Sequence, residues 1–247
     1  MKEEEDWIRE KITFDAAYGN ERMMAYLFLP KQGKRPFQPV IWFPGANVIH
    51  ARSSESLEIG SIDFLLKSGR AIMFPIYKST FERYDGLNSH FPNETIFYKE
   101  HVIMWSKDLR RSIDYLETRK DIDADRIAYY GQSWGGAMGA IMLAVEPRIK
   151  TSVLVVAGLW FQRSLPEVEA FNYLRHIKIP VLMLNGKYDF FFPYGTSQLP
   201  FYQMLGTSED KKNLIAYDNG HTVPRTELVK ETLAWLDRYL EPVKVVP

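Results

Sequence analysis

The stretch RIAYYGQSWGGAMGAIML, residues 126–143, joins an unbroken apolar run to a glycine-rich turn and then to small and apolar residues at helical spacing. That order predicts a strand, a sharp turn and a helix. Gly131-Gln132-Ser133-Trp134-Gly135 fits the pattern Gly-x-Ser-x-Gly. By composition alone the pattern arises only about 0.1 times in a chain of this length, taking each residue at ~7%. A serine on such a turn is forced outward at the tip of the sheet. Glycines must flank it, because side chains there would collide with strand and helix. Ser133 is therefore the candidate nucleophile.

Working outward, further unbroken apolar runs occur as VIWF at 40–43, AIMF at 71–74, SVLVV at 152–156 and VLML at 181–184. Runs that do not alternate belong to strands buried on both faces, as in a parallel sheet. Between them, Leu57 to Leu66, Ile96 to Leu116, Gly135 to Val145 and Leu228 to Leu240 carry apolar residues at three- and four-residue intervals. Strand and helix alternate from residue 40 onward, which specifies an α/β fold with a mostly parallel, doubly wound sheet. Ahead of it, Ile8 to Phe14 and Met23 to Leu29 flank the turn Tyr18-Gly19-Asn20 and predict an N-terminal antiparallel hairpin. One domain over residues 1–247 is expected. Two stretches, Lys78 to Glu94 and Gly158 to His176, fit neither element type and follow strands. The second is expected to form a small cap insertion over residues 158–177.

Composition narrows the chemistry. The 247 residues are 46% hydrophobic, and 31 basic side chains balance 31 acidic ones. This describes a globular protein without the basic surface that nucleic-acid binding requires, so no nucleic-acid partner is expected. Cysteine is absent, which removes disulfides, thiolate metal sites and a thiol nucleophile together. Neither a metal nor a cofactor is expected. The start, MKEEEDW, is acidic where a secretory signal is basic and then apolar, and the longest apolar run, Val153 to Phe161, is far short of a membrane span. No membrane association is expected, and the cytoplasm is the default location. The start is also compatible with the cut edge of a longer protein.

A serine hydroxyl attacks only when a base takes its proton. Of the five histidines, His221 lies in Asp218-Asn219-Gly220-His221, just after the apolar stretch Asn213 to Tyr217 and before the last helix. His101 falls within a helical run, His50 and His90 lie in polar loops near other strand ends, and His176 closes an insertion. His221 is the candidate base. Its acid partner is Asp189, which follows VLML directly in Asn185-Gly186-Lys187-Tyr188-Asp189. Asp218 is the rival, but three residues before His221 it reads more naturally as a loop or capping residue. An oxyanion needs preset donors. The backbone N–H of Trp134 is one, and the loop Pro44-Gly45-Ala46-Asn47 supplies the other, with Ala46 first and Asn47 second. Trp160, Phe161, Phe190 and Phe191 are candidates for an aromatic substrate pocket, and ordinary core packing is the competing account of each.

The order Ser133, Asp189, His221 is that of the α/β-hydrolases. The chain resembles that family over roughly residues 22 to 240, in the branch holding dienelactone hydrolases, prolyl-oligopeptidase-like domains and small bacterial carboxylesterases. The resemblance rests on FPGAN at 43–47, GQSWGG at 131–136, PVLMLNGKYDFFFP at 180–193 and DNGH at 218–221. The stretch from Ile179 to Pro193 is similar to esterase domains that form the C-terminal part of longer bacterial chains. Two departures matter. Dienelactone hydrolases use a cysteine nucleophile, and oligopeptidases carry a β-propeller, and this sequence has neither. The resemblance therefore implies a serine carboxylesterase acting on small-molecule esters through an acyl-enzyme. A peptidase or amidase for short acylated substrates is the alternative, and a catalytically silent ligand-binding module is a third reading.

Overall fold

The computed structural model describes residues 2–3, 6–55 and 57–243. Part of the acidic start and the last four residues, 244–247, lie outside the described residues. Among the described residues the sheet has nine strands: β1 (Lys2–Glu3), β2 (Trp7–Asp15), β3 (Arg22–Pro30), β4 (Pro39–Phe43), β5 (Ala71–Pro75), β6 (Ile127–Gln132), β7 (Ile149–Val155), β8 (Val181–Gly186) and β9 (Lys212–Tyr217). Their order is β1-β2-β3-β5-β4-β6-β7-β8-β9. Neighbours from β5 to β9 pair in parallel, while β1, β2 and β3 are antiparallel additions at one edge. Each strand from β4 to β8 is almost wholly buried, which is why its sequence does not alternate. The hairpin turns at Gly19 and Asn20, both at positive φ, as its Tyr-Gly-Asn sequence predicts.

Helices α1 (Asp63–Lys67), α2 (Ile96–Glu117), α3 (Trp134–Val145), α4 (Phe171–Leu174), α5 (Leu199–Met204) and α6 (Arg225–Leu240) cover the sheet. The two layers are distinguished on β7. Leu154 meets Gly139 of α3, whereas Thr151 accepts a hydrogen bond at 2.9 Å from the indole of Trp235 on α6. Residues an odd number apart on a strand point to opposite faces, so α3 and α6 lie on opposite sides. The long helix α2 begins where Thr95 accepts from the Tyr98 amide at 3.1 Å, a side-chain N-cap. It buries Val102, Trp105, Leu109, Ile113 and Leu116 along one stripe.

One helix is shorter than the spacing predicts. Leu57 to Leu66 was expected to be helical throughout, yet only Asp63–Lys67 is. Gly60 and Ser61 interrupt it, and Ile59 and Ile62 are buried through a turn closed by the Ile62 amide on the Ile59 carbonyl. Turns thus produced an apolar spacing that mimics a helix. The segment 158–177 contains a 3-10 turn at Pro166–Val168, which contacts α2, and the helix α4, which packs on α3 and α5.

The chain runs from β4 outward to β5 on one side and, after α2, to β6 on the other. Such a reversal leaves a crevice beyond the carboxyl ends of the two central strands. Phe43 pairs with Gly131 across β4 and β6, so the loop after β4 and the turn after β6 emerge side by side.

Candidate active site

Ser133 occupies the turn between β6 and α3 with φ +53° and ψ −107°. A non-glycine residue there is strained, and the surroundings enforce it. The Ser133 amide donates to the Val155 carbonyl at 2.9 Å, and the Gly135 amide donates to the Pro44 carbonyl at 3.0 Å. The Tyr129 hydroxyl donates to the Gly135 carbonyl at 2.6 Å. A Cβ on Gly135 would overlap the Phe43 carbonyl, so only glycine lets β4 and the helix start approach this closely.

The loops after β8 and β9 bring the other two groups. A Cβ on Gly186 would overlap the Gly220 carbonyl oxygen, and the amides of Lys187 and Tyr188 donate to the carbonyls of Tyr217 and Asn219 at 2.7 and 2.9 Å. The two loops are therefore locked together. Asp189, with its side chain fully buried, uses its oxygens differently. Oδ1 accepts the amides of Phe191 and Phe192 at 2.9 and 3.1 Å, and Oδ2 lies 2.7 Å from Nδ1 of His221. Nε2 of His221 lies 2.7 Å from the Ser133 hydroxyl oxygen. A carboxylate only accepts, so Nδ1 donates to it and the serine hydroxyl donates to Nε2. Ser133, His221 and Asp189 thus form one continuous hydrogen-bonded line. Asp218 is elsewhere: its side chain is 79% exposed and lies 3.8 Å from Lys187.

Ala46 opens a 3-10 turn, Ala46–Ile49, and Trp134 opens α3. First-turn N–H groups have no partner within their own helix. Gly45 brings the first loop to the second, a Cβ there lying 3.7 Å from that of Ser133. The Trp134 side chain does not enter the site. It is fully buried edge-on against Phe43 and Trp105, with ring centroids 4.9 and 4.8 Å away, and this anchors the start of the helix.

Beside Ser133 is a cavity of about 300 Å³, bounded by Gly45, Ala46, Asn47, His90, Gln132, Val156, Trp160, Phe191 and His221. Of the four aromatic pocket candidates, Trp160 and Phe191 line it. Phe161 and Phe190 do not: they are 61% and 73% exposed. Phe190 packs tilted against Phe191, with ring centroids 4.2 Å apart, since the Asp189 oxygen that ties down residues 191 and 192 leaves residue 190 on the outside of the turn. A second cavity of about 410 Å³ lies behind the Gly45–Asn47 loop and shares Gly45, Asn47 and Gln132 with the first. Among the described residues, no group of three or more His, Asp or Glu side chains is placed to hold a metal ion, and no helix is long and apolar enough to cross a membrane.

Three residues of the site escape sequence reasoning. Asn185 donates to the Ala157 carbonyl at 2.6 Å, holding the loop after β7 against β8. Gln198 is buried and donates to the carbonyls of Gly186 and Phe192 at 2.8 and 2.7 Å, bracing the loop that carries Asp189. His90 arrives from the long loop before α2. Burial, with His50 acting in the same sense, pulls its pKa down to about 4. The unfolded chain, whose histidines titrate near about 6.5, therefore takes up more protons than the folded one between those values. The stability due to neutral His90 is fully present above that window and is lost as pH falls through it. Thermal melts at pH ~7 and ~4.5 should show a larger drop for wild type than for His90→Gln, and equal drops would contradict this.

A family model described as PET hydrolase-like matches residues 106–243, more than half of the chain, and includes Ser133, Asp189 and His221. The chain belongs to this family. Among curated relatives of this PET hydrolase-like chain, Cutinase est1 of Thermobifida alba is 27% identical over 146 residues, covering 55% of this chain and 46% of its own length. The chain thus spans about half of that relative. Among solved structures, a cold-adapted esterase from an Arctic intertidal metagenomic library superposes with a TM-score of 0.75 at 20% identity and 97% coverage of both chains. An acetyl xylan esterase from Paenibacillus sp. R4 gives 0.70 at 18% identity, over 96% of this chain and 85% of its own. At such identities the structures speak for the fold, and it is the α/β-hydrolase fold.

Proposed function

We propose that the chain is a serine hydrolase of carboxylic esters that works through an acyl-enzyme. The observation that carries this reading is the line of hydrogen bonds from Ser133 through His221 to Asp189, opening on a cavity. His221 takes the hydroxyl proton as Ser133 attacks the ester carbonyl. The imidazolium that forms is held by Asp189 and returns the proton to the leaving alkoxide. The amides of Ala46 and Trp134 face the developing oxyanion. Water then attacks the acyl-serine, with His221 again as base. The names cutinase and esterase among the matched proteins support an ester as the substrate. A cavity of about 300 Å³, at the low end of ligand sites, supports small or short-acyl substrates.

A panel of para-nitrophenyl esters of increasing acyl length, beside the matching anilides, tests this. Turnover of short esters is expected to exceed that of long esters and of anilides, and to vanish in Ser133→Ala. No ester turnover, or faster cleavage of anilides, would overturn the reading.

A further inference from the structure

We propose that His90 is a specificity-determining residue of this site, whose neutral imidazole donates a hydrogen bond to an uncharged ether or hydroxyl oxygen in the acyl part of the substrate. The inference rests on the ester-hydrolase reading and adds the chemistry of the acyl group to it.

Three observations carry it. First, His90 lines the same cavity as Ser133 and His221, with its ring against the lining residue Trp160, yet among the described residues its ring nitrogens have no hydrogen-bond partner, the only bond made by His90 being at its main-chain carbonyl. Second, the ring is fixed. Phe91 lies 4.2 Å away, Trp160 meets it edge-on at 5.2 Å and Trp134 lies at 6.4 Å, centroid to centroid. A polar group clamped by aromatic rings at a cavity wall is preorganised to meet a partner there. Third, its position distinguishes the two halves of an ester. The rings run in series from His221 to Phe192 at 5.9 Å, from Phe192 to Trp160 at 4.5 Å, and from Trp160 to His90. The leaving alkoxide must lie on the His221 side, where it receives its proton. The far end of the series, where His90 stands, falls to the acyl half.

The charge state selects the ligand class. Burial keeps the ring neutral above a pKa of about 4, so at neutral pH it offers an N–H dipole rather than a cation. It is therefore matched to an uncharged oxygen, since a carboxylate would bring a charge against the aromatic walls with no cation there to balance it. Beside it Val156 and Phe191 present apolar surface to the rest of an acyl chain, and Trp160 adds its ring, whose buried indole N–H has no partner among the described residues.

The test compares para-nitrophenyl β-methoxypropanoate with para-nitrophenyl pentanoate, in which a methylene replaces the ether oxygen at equal chain length. The ratio of their kcat/KM values in wild type, divided by the same ratio in a variant, cancels their different intrinsic reactivity. His90→Phe keeps an aromatic ring against Trp160 but has no donor. It should lower the ether-to-alkyl ratio about fivefold, the size of one neutral hydrogen bond. The change should appear mainly in KM, because ground state and transition state share the contact. His90→Gln, a neutral donor, should recover part of the ratio. His90→Ala gives the same comparison if phenylalanine does not fit. An unchanged ratio in both Phe and Ala variants overturns the proposal while the ester-hydrolase reading stands. Turnover of neither ester by wild type overturns that reading, and the proposal with it.

Discussion

Ser133→Ala is expected to lower the turnover of a short ester by a factor on the order of a million, the scale seen when one member of a triad acting as a unit is removed. The fold should survive, because the contacts that hold the turn are main-chain ones. The Ser133 amide on Val155 and the Gly135 amide on Pro44 are untouched, and alanine at φ +53° meets the same strain as serine. The hydroxyl alone is lost, and with it the oxygen 2.7 Å from Nε2 of His221. An organophosphate should label wild type on the peptide holding Ser133 and leave the variant unlabelled. A label on another residue, or activity of the variant within about a hundredfold of wild type, would remove Ser133 from the chemistry.

The elements that the sequence announces are those whose local pattern is also their tertiary environment. VIWF, AIMF and VLML read as central strands because burial on both faces imposes an unbroken apolar run. The turn at Ser133 is legible because steric collision with Phe43 admits only glycine at 135. Asp189 is legible because a strand end fixes where the next few residues begin. What stays hidden depends on distant partners. The spacing from Leu57 to Ile62 is made by turns and only the rest of that stretch by a helix, since nothing local distinguishes two isoleucines buried by a turn from two on a helical stripe. Phe190 and Phe191 are adjacent and chemically identical, yet only Phe191 lines the cavity, and that outcome is set by two amides bonding Asp189. His90 meets Trp160 across seventy positions of chain, and no periodicity encodes such a meeting. Gln198 braces the acid loop from a turn whose sequence, Tyr194–Gln198, carries no motif.

Asp189→Asn should reduce turnover by up to about ten-thousand-fold while Asp218→Asn remains near wild type. The geometry explains both the size and the asymmetry. Oδ1 of Asp189 accepts two main-chain N–H groups, and Oδ2 accepts from His221. An asparagine there must keep its carbonyl oxygen toward the amides of Phe191 and Phe192, since an NH2 group facing two donors would leave all of them unpaired in a fully buried place. Its NH2 is then aimed at Nδ1 of His221, which can only accept from it. The proton moves to Nε2, and the nitrogen facing Ser133 becomes a donor that cannot take the hydroxyl proton. The substitution thus preserves the loop and inverts the base, so melting temperatures of the two variants should match wild type while activity separates them. Asp218, 79% exposed and 3.8 Å from Lys187, makes no hydrogen bond to His221 among the described residues, and exposed pairs of that kind contribute little. The distinguishing measurement is rate against pH: in Asp189→Asn activity should recover at high pH, where hydroxide assists loss of the serine proton without a histidine base. If Asp218→Asn were instead the inactive variant, with Asp189→Asn near wild type, the acid would have to be reassigned.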